Sequence, residues 1–162
     1  MRKFLVAMLM SMMVMVCGVC SAQITEADLN IGGIYYGQSI NEIVEKYGDP
    51  VRKVVTPPAG HRFVFLVDDS EVELRIDSKN GQIFEALITG DSLLKTKAGI
   101  YLKDSVDDML NIYGAPDLVI NVNKDEYFVY YYTKEKNKDL KFFVSKGLIS
   151  TISFEEHEEK NW

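Results

Sequence analysis

The sequence predicts an α+β fold made of two tandem repeats, each a short helix region followed by a three- to four-stranded antiparallel meander. Two observations lead to this prediction. The stretch GIYYGQSINEIVEKYGDP, residues 33–50, returns sixty-six residues later as GIYLKDSVDDMLNIYGAP, residues 99–116. After each copy come short runs rich in β-branched and aromatic residues, separated by turn-forming residues. The chain is therefore interpreted as a tandem duplication of one small module.

Each copy contains one apolar stripe with helical spacing. Apolar residues recur at i, i+3, i+4 and i+7, which places them on a single face of an α-helix. The stripe consists of Ile40, Ile43, Val44 and Tyr47 in the first copy and of Val106, Met109, Leu110 and Tyr113 in the second. A helix of about ten residues is expected in each copy.

Both helices carry start and stop signals. Ser39 followed by Glu42 predicts a capping box, and Ser105 followed by Asp108 predicts a weaker one. A glycine that can adopt a left-handed turn ends each copy, and a proline two residues later prevents continuation. The serines are therefore explained as helix caps rather than as nucleophiles.

The strands are predicted from alternating or continuous apolar runs between turn signals. They lie at residues 61–67, 71–77 and 81–88 in the first half and at 126–132, 138–144 and 147–154 in the second, with weaker runs at 51–56 and 118–122. The predicted repeats span residues 30–92 and 93–162, with a junction at 89–98. Because a unit of about seventy residues buries little core, we expect the two units to pack together or their sheets to join.

The N-terminus has the layout of a secretory signal peptide. Arg2 and Lys3 precede an apolar run, and CGVCSA offers a cleavage site after Ala22. Residues 1–22 are therefore predicted to be removed, leaving the chain exported to the periplasm or the extracellular space. Two alternatives stay open: a lone membrane anchor, and a lipid anchor at Cys17 or Cys20, although valine rather than a small residue precedes each cysteine.

Charge and cysteine content restrict the partners of the mature chain. Both cysteines lie before Ala22, so the mature chain would form no disulfide and would depend on its core for stability. Loss of two positive charges with the signal peptide would move the net charge from −6 to −8. An acidic chain without a basic cluster argues against nucleic acid, and membrane association is expected only if the chain is lipidated.

The motif that carries each helix also carries a resemblance. A glycine, a capping serine, an acidic residue and Tyr-Gly-x-Pro, followed by a meander that ends in Gly-x-Ile-x-x-Ile, resembles the β-lactamase-inhibitor-protein-like domains. It is also similar to the small outer-membrane assembly lipoprotein (SmpA/OmlA) domains. The resemblance covers nearly all of the mature chain and implies an inhibitor-like or envelope assembly role. The chain lacks the cysteine pairs expected of the inhibitors and has two units where the assembly lipoproteins have one.

Catalytic and metal-binding motifs are sparse. His61 and His157 have no second histidine or cysteine at ligand spacing. A metal site built on His157 and the glutamates of FEEHEEKNW is conceivable, but a solvated charged tail is the favoured interpretation, and no metal or cofactor is predicted. Carboxylates are frequent, so a carboxylate-based hydrolase acting on envelope or extracellular glycan or peptide is kept as the alternative function.

The favoured function is a non-enzymatic module that binds a protein or peptide outside the cytoplasm. Strand alternation places Phe63, Phe65 and Val67 under the first helix, and the corresponding alignment of the second half buries Phe128, Tyr130 and Tyr132. The predicted binding face, on the side of the sheet without helices, comprises Tyr127, Val129, Tyr131 and Phe143, with Leu66 and Arg75 from the first half. Exposed aromatic residues on a sheet face are typical of interaction surfaces.

Two alternatives concern aromatic residues. The predicted binding face could instead be covered by the other unit or by the tail with Trp162. Tyr35 and Tyr101, which recur just before each helix, could form a doubled binding site, although packing under the helix start is favoured.

Overall fold

Within residues 23–55, 61–77 and 80–157, which a computed structural model describes, the chain forms ten strands, two α-helices and one 3₁₀ turn. The strands are β1 (Asn30–Ile31), β2 (Ile34–Tyr35), β3 (Arg52–Val55), β4 (His61–Val67), β5 (Ser70–Ile76), β6 (Ile83–Thr89), β7 (Leu118–Asn121), β8 (Glu126–Tyr132), β9 (Lys138–Ser145) and β10 (Leu148–Glu156). The helices are α1 (Ile40–Tyr47) and α2 (Val106–Tyr113), and the 3₁₀ turn is Glu26–Asp28. The predicted signal peptide, with Cys17 and Cys20, lies outside the described residues, as does Trp162.

Eight of the strands form one antiparallel sheet, so the chain has a small α+β fold. Their order is β3-β4-β5-β6-β10-β9-β8-β7, and the two meanders meet where β6 pairs with β10. This joining of sheets is one of the two arrangements expected from the sequence. Neither described helix is long and apolar enough to cross a membrane.

Both helices pack on the same hydrophobic core. Ile43 of α1 and Met109 of α2 are fully buried, and Tyr113 is almost fully buried. The remaining stripe residues of α1 pack against the core at its margin, whereas Leu110 of α2 is 36% exposed and lies outside the core. Apart from Leu110, the helical stripes predicted from spacing therefore face the sheet, and burial of these side chains is the main contribution to holding the helices there.

The caps differ from the prediction in their relative strength. Ser39 Oγ accepts a hydrogen bond from the Asn41 amide at 3.3 Å, but the Glu42 carboxylate accepts bonds from Tyr35 and Gln38 instead of completing a capping box. Ser105 Oγ accepts from the Asp108 amide at 3.1 Å and donates to the Asp108 carboxylate at 2.6 Å. The second cap, predicted to be weaker, is the more fully bonded one.

The same backbone bonds recur around both helices. The amides of Gly37 and Lys103 donate to the carbonyls of Ile83 and Ile149 at 2.8 and 2.7 Å. The first helical amides, of Ile40 and Val106, donate to the carbonyls of the Gly-turns at residues 81 and 147, both at 3.0 Å. These bonds attach each helix start to the last strand of its own meander, β6 or β10.

The β1–β2 hairpin completes the cover of the core. Ile31 and Ile34 are fully buried in it, together with Leu29 just before the hairpin. Gly32, at the hairpin turn, has a φ of +64°, and a Cβ there would lie 2.7 Å from Leu94 Cδ2. Leu94, Ile100 and other residues between β6 and α2 belong to the same buried cluster.

Candidate functional site

The register of the sheet sorts its residues onto two faces, because directly paired residues point to the same side. One face packs against α1, α2 and the β1–β2 hairpin. We call the opposite side the helix-free face. It carries Val64 and Leu66 of β4, Glu73 and Arg75 of β5, Glu85 and Leu87 of β6, Ser153 and Glu155 of β10, Asp139, Lys141 and Phe143 of β9, Phe128, Tyr130 and Tyr132 of β8, and Leu118 and Ile120 of β7.

Three predicted site residues, Tyr127, Val129 and Tyr131, lie on the other face. Val129 pairs with Phe142 and Tyr131 pairs with Leu140, and all four side chains are in the core. Val129 is 1% and Tyr131 0% exposed, and the prediction that they face outward is wrong. The Tyr131 hydroxyl donates to the Gly114 carbonyl at 3.0 Å, so the buried phenol is hydrogen-bonded.

The physical reason is a slip of one residue in the alignment of the two halves. Matching residues 61–67 with 126–132 uses an offset of sixty-five, whereas the helices and last strands repeat at sixty-six. With sixty-six, Phe63 corresponds to Val129 and Phe65 to Tyr131, which are the buried residues of each strand. Because side chains alternate with a period of two, a slip of one residue exchanges the faces of a whole strand.

Phe143, Leu66 and Arg75 do lie on the helix-free face, as predicted. Phe143 belongs to a group of four aromatic side chains that we call the aromatic strip: Phe128, Tyr130, Tyr132 and Phe143. The Phe128 and Phe143 ring centroids are 4.7 Å apart, and the Tyr130 and Tyr132 rings are stacked at 6.0 Å. Phe128 and Tyr130, 6.3 Å apart, connect the two pairs.

The aromatic strip is partly exposed and extends to the sheet edge. All four of its residues keep some solvent contact. Leu118 and Ile120 of the edge strand β7 pair with Tyr130 and Phe128 and are exposed. Burial raises the pKa of the Tyr130 and Tyr132 hydroxyl groups, which therefore stay protonated and able to donate hydrogen bonds. The aromatic strip is therefore an apolar surface that also carries two hydroxyl groups, those of Tyr130 and Tyr132.

A belt of ion pairs crosses the helix-free face beside the aromatic strip. Arg62 pairs with Glu73 at 2.9 Å, Arg75 with Glu85 at 2.6 Å and Lys141 with Glu155 at 3.0 Å. These six residues are the charged belt. Burial alone would lower the pKa of Lys141, but the adjacent Glu155 carboxylate outweighs that effect and raises it. Each acidic side chain of the belt thus has a cationic partner.

Lys141 also links the charged belt to the aromatic strip. Its ammonium group lies 5.9 Å from the centre of the Tyr130 ring, within range of a weak cation–π contact. Arg75 lies 5.5 Å from the Phe84 ring in the same manner. A partner that binds to the aromatic strip would therefore contact charged side chains, held in ion pairs, along the border of the strip.

Sequence reasoning missed a cluster at one end of the face. The His157 Nε2 lies 2.5 Å from Asp139 Oδ2 and 3.6 Å from Glu155 Oε1. Asp139 is 0% exposed, and burial raises the pKa of its carboxyl, an effect that the His157 contact opposes only in part. Glu155 and His157 were considered from the sequence as part of an acidic tail. Asp139 carried no signal, because its pairing with Glu155 depends on the β9–β10 register.

The recurring tyrosines before the helices do not pack under them. Tyr35 is 42% and Tyr101 37% exposed, whereas the preceding isoleucines, Ile34 and Ile100, are buried. The expected packing role therefore belongs to the isoleucines. The Tyr35 hydroxyl donates to Glu42, and the Lys95 ammonium lies 5.5 Å from the centre of the Tyr101 ring.

No family model and no curated protein matches the sequence, but solved structures do. A cysteine-rich secretory protein from Staphylococcus aureus aligns with a TM-score of 0.56 and 16% identity, over 86% of this chain and 50% of that one. A DUF4309 family protein from Bacillus subtilis aligns with a TM-score of 0.53 and 12% identity, over 83% and 88%. An extracellular protein containing an SCP domain, from Bacillus anthracis, aligns with a TM-score of 0.53 and 11% identity, over 83% of this chain and 48% of that one.

A Streptococcus mutans protein that has been proposed to be a β-lactamase inhibitor aligns with a TM-score of 0.31 and 17% identity, over 75% of this chain and 85% of that one. A score this low carries no argument, so the resemblance to inhibitor and assembly domains stays a prediction. The chain spans about half the length of two of the better-aligned proteins. At such low identity these similarities show a shared small α+β fold and nothing about activity.

Proposed function

We propose that the chain is an exported, non-enzymatic module that binds a protein or peptide outside the cytoplasm on its helix-free face. The observation that carries the proposal is the aromatic strip, four adjoining rings on a face to which neither described helix contributes. Solvated sheet faces are ordinarily polar, and clustered apolar surface usually marks an interaction site. Tyrosine and phenylalanine bury much area while losing few rotamers.

The charged belt is better suited to selecting among partners than to raising the affinity for any one of them. Its ion pairs are already formed in the free chain, so a partner need not order these side chains. A fixed pattern of alternating charge beside an apolar strip selects partners of complementary pattern. An extended segment could also pair with the exposed edge strand β7, next to the strip.

The proposal includes a duplicated module and an exported location. We interpret residues 30–92 and 93–162 as two copies of one unit, supported by the equivalent backbone bonds at Gly37 and Lys103. Removal of residues 1–22 by cleavage near Ala22 would place the chain in the periplasm or the extracellular space. An inhibitor-like or envelope assembly role fits this location.

A double variant tests the proposal. Phe128→Ser with Phe143→Ser removes half of the aromatic strip at partly exposed positions, so the fold should persist by circular dichroism. Proteins are captured from envelope extract and identified, and the best candidate is then purified and titrated. Each lost anchor is worth about 2 kcal/mol, so loss of both should weaken binding by about 4 kcal/mol, or roughly several hundredfold.

The matched control is Tyr35→Ser with Tyr101→Ser, which removes two exposed aromatic residues away from the helix-free face. This control should retain the partner. If the strip variant still captures the partner but the control does not, the binding surface lies at Tyr35 and Tyr101 instead. Unfolding of the strip variant would mean that its rings serve the core.

The second candidate is a carboxylate-based hydrolase, favoured by the direct pairing of Asp139 with Glu155. A general acid must reach its substrate, however, and Asp139 is 0% exposed. Glu155 keeps some exposure, so it alone of the pair could contact a glycan or peptide. Hydrolysis by the native chain that is abolished in Glu155→Gln would favour this candidate over the binding module.

A further inference from the structure

We propose that Asp139, Glu155 and His157 form a binding site for a divalent transition-metal cation. One ligand atom from each residue lies within 4.8 Å of the other two. Two carboxylate oxygens and one imidazole nitrogen are donors that zinc and its neighbours accept, and three protein ligands leave a position for solvent. The inference is independent of the proposed binding function.

A second observation points to a missing ligand. Asp139 Oδ2 contacts His157, but Asp139 Oδ1 is buried and has no hydrogen-bond partner among the described residues. A buried carboxylate oxygen without a partner leaves its loss of hydration uncompensated. A cation bound to this carboxylate would supply the missing interaction, and burial of Asp139 would strengthen the attraction relative to bulk water.

Two further buried polar atoms without a partner belong to residues near the cluster in sequence or by a backbone bond. Ser153 lies two residues before Glu155 on the same face and is 1% exposed, and its Oγ has no partner in the described part of the chain. Asn137 accepts a bond from the His157 amide at 2.7 Å, yet its own side-chain Oδ1 is buried and unpaired among those residues. Buried polar atoms are ordinarily satisfied, so an unpaired oxygen in Asp139 itself and in two residues linked to the cluster is unusual.

His157 lies near zinc-ligand spacing from both carboxylates, and the two carboxylate ligand atoms lie within 4.8 Å of one another. Ligand atoms around a tetrahedral zinc ion are about 3.3 Å apart, given metal–ligand distances near 2.0–2.1 Å. His157 Nε2 is 3.6 Å from Glu155 and 2.5 Å from Asp139, so the metal would replace the second contact and widen it slightly. His157 is partly exposed, which gives an ion access from solvent.

Nearby charged side chains determine which groups a bound cation would compete with. Lys141 lies 3.0 Å from Glu155 and serves as its counter-ion in the metal-free chain. Glu85, which pairs with Glu155 across β6 and β10, is held by Arg75. A divalent ion therefore competes with the Lys141 ammonium for Glu155, and its double charge favours it in that competition.

Titration of the untagged chain with ZnCl₂ tests the site, with Co²⁺ absorption as a second readout. We expect one ion per chain, raised thermal stability on binding, and affinity lowered at least about tenfold by His157→Gln and by Glu155→Gln. Both positions are partly exposed, so the variants should fold. His61→Gln is the matched control, because it removes the other histidine outside the cluster, and it should bind like the native chain.

A second control addresses the acidic tail. Glu158→Gln with Glu159→Gln removes charge beyond His157 and should leave affinity unchanged. Three results would overturn the site: no zinc binding by the native chain, equal binding by His157→Gln, or binding that disappears in the tail variant alone. The first would assign Asp139 and His157 a purely hydrogen-bonded role.

Discussion

Lys103 adopts a left-handed backbone conformation, with a φ of +70°, where the first half of the chain has Gly37 at +79°. Both residues donate their amide to the carbonyl that begins the last strand region of their own half, Ile83 or Ile149. The β-carbon makes this conformation costly for a residue such as lysine, whereas glycine adopts it freely. The two loops thus require the same backbone shape, and the second half carries it with an unfavourable residue.

A reciprocal exchange tests this interpretation. Lys103→Gly should raise the free energy of unfolding by roughly 0.5–1 kcal/mol, because the gain from relieved strain exceeds the entropy cost of glycine. Gly37→Lys should lower it by about 1 kcal/mol, although nothing lies within 4 Å of the new β-carbon. Urea denaturation of both variants measures the changes.

Lys103→Ala separates the backbone effect from the side chain. Lys103 pairs with Asp91 at an exposed site, and such pairs contribute little. The alanine variant loses that pair but keeps the β-carbon, so its stability should stay close to that of the native chain. A gain in Lys103→Ala equal to that in Lys103→Gly would assign the effect to the lysine side chain.

At single residues, sequence reasoning succeeded where apolar and polar positions alternate. Arg75 and its neighbours in β5 were placed on the correct face because Val72, Leu74 and Ile76 alternate with charged residues. The segment EYFVYYY in β8 is aromatic or apolar on both faces, so its own pattern cannot define which side is buried. The constant offset of sixty-six residues was the signal that could have placed it.

At the scale of elements, the two helix caps give matched positions in one chain. Ser105 exchanges two hydrogen bonds with Asp108, whereas Ser39 accepts a single bond of 3.3 Å. Ser105→Ala should lower the free energy of unfolding by about 1–2 kcal/mol, and Ser39→Ala by about 0.5 kcal/mol, within the range of measured N-caps. Chemical denaturation gives both values under identical conditions.

Glu42→Gln provides the control for the first cap. The Glu42 carboxylate accepts bonds from Tyr35 and Gln38 and not from the cap, so this change should leave the contribution of Ser39 unaltered. A larger loss at Ser39 than at Ser105 would contradict the bonding observed. It would restore the order that the residue types alone predict, in which glutamate forms the better capping box.

Of the ten strands in the described residues, eight were predicted almost residue by residue, whereas β1 and β2 were not predicted. The strands at 61–67 and 126–132 have the predicted bounds, and the other six differ from prediction by one or two residues at their ends. Turn residues and β-branched runs are local signals, which explains this success. The cluster of Asp139, Glu155 and His157 was missed because it depends on the pairing of β9 with β10, which no local signal specifies.

At the scale of the whole molecule, the two halves share one sheet and one core. The β6–β10 ladder runs from Glu85 opposite Glu155 to Thr89 opposite Thr151. Buried residues of both halves belong to a single cluster. The sequence predicted that the halves would associate, since each alone buries too little surface, but it left the manner of association open.

Cooperative unfolding of both halves follows from this shared sheet, and a pair of equivalent core variants tests it. Leu74→Ala and Leu140→Ala truncate fully buried side chains sixty-six residues apart, one in each half, at a cost of about 2–5 kcal/mol each. Native-state hydrogen exchange should show the slowest amides of β5 and β9 losing protection together in either variant, because both exchange through global unfolding. Protection lost only in the mutated half would instead mean that the meanders open separately, with the β6–β10 ladder as a weak seam between them.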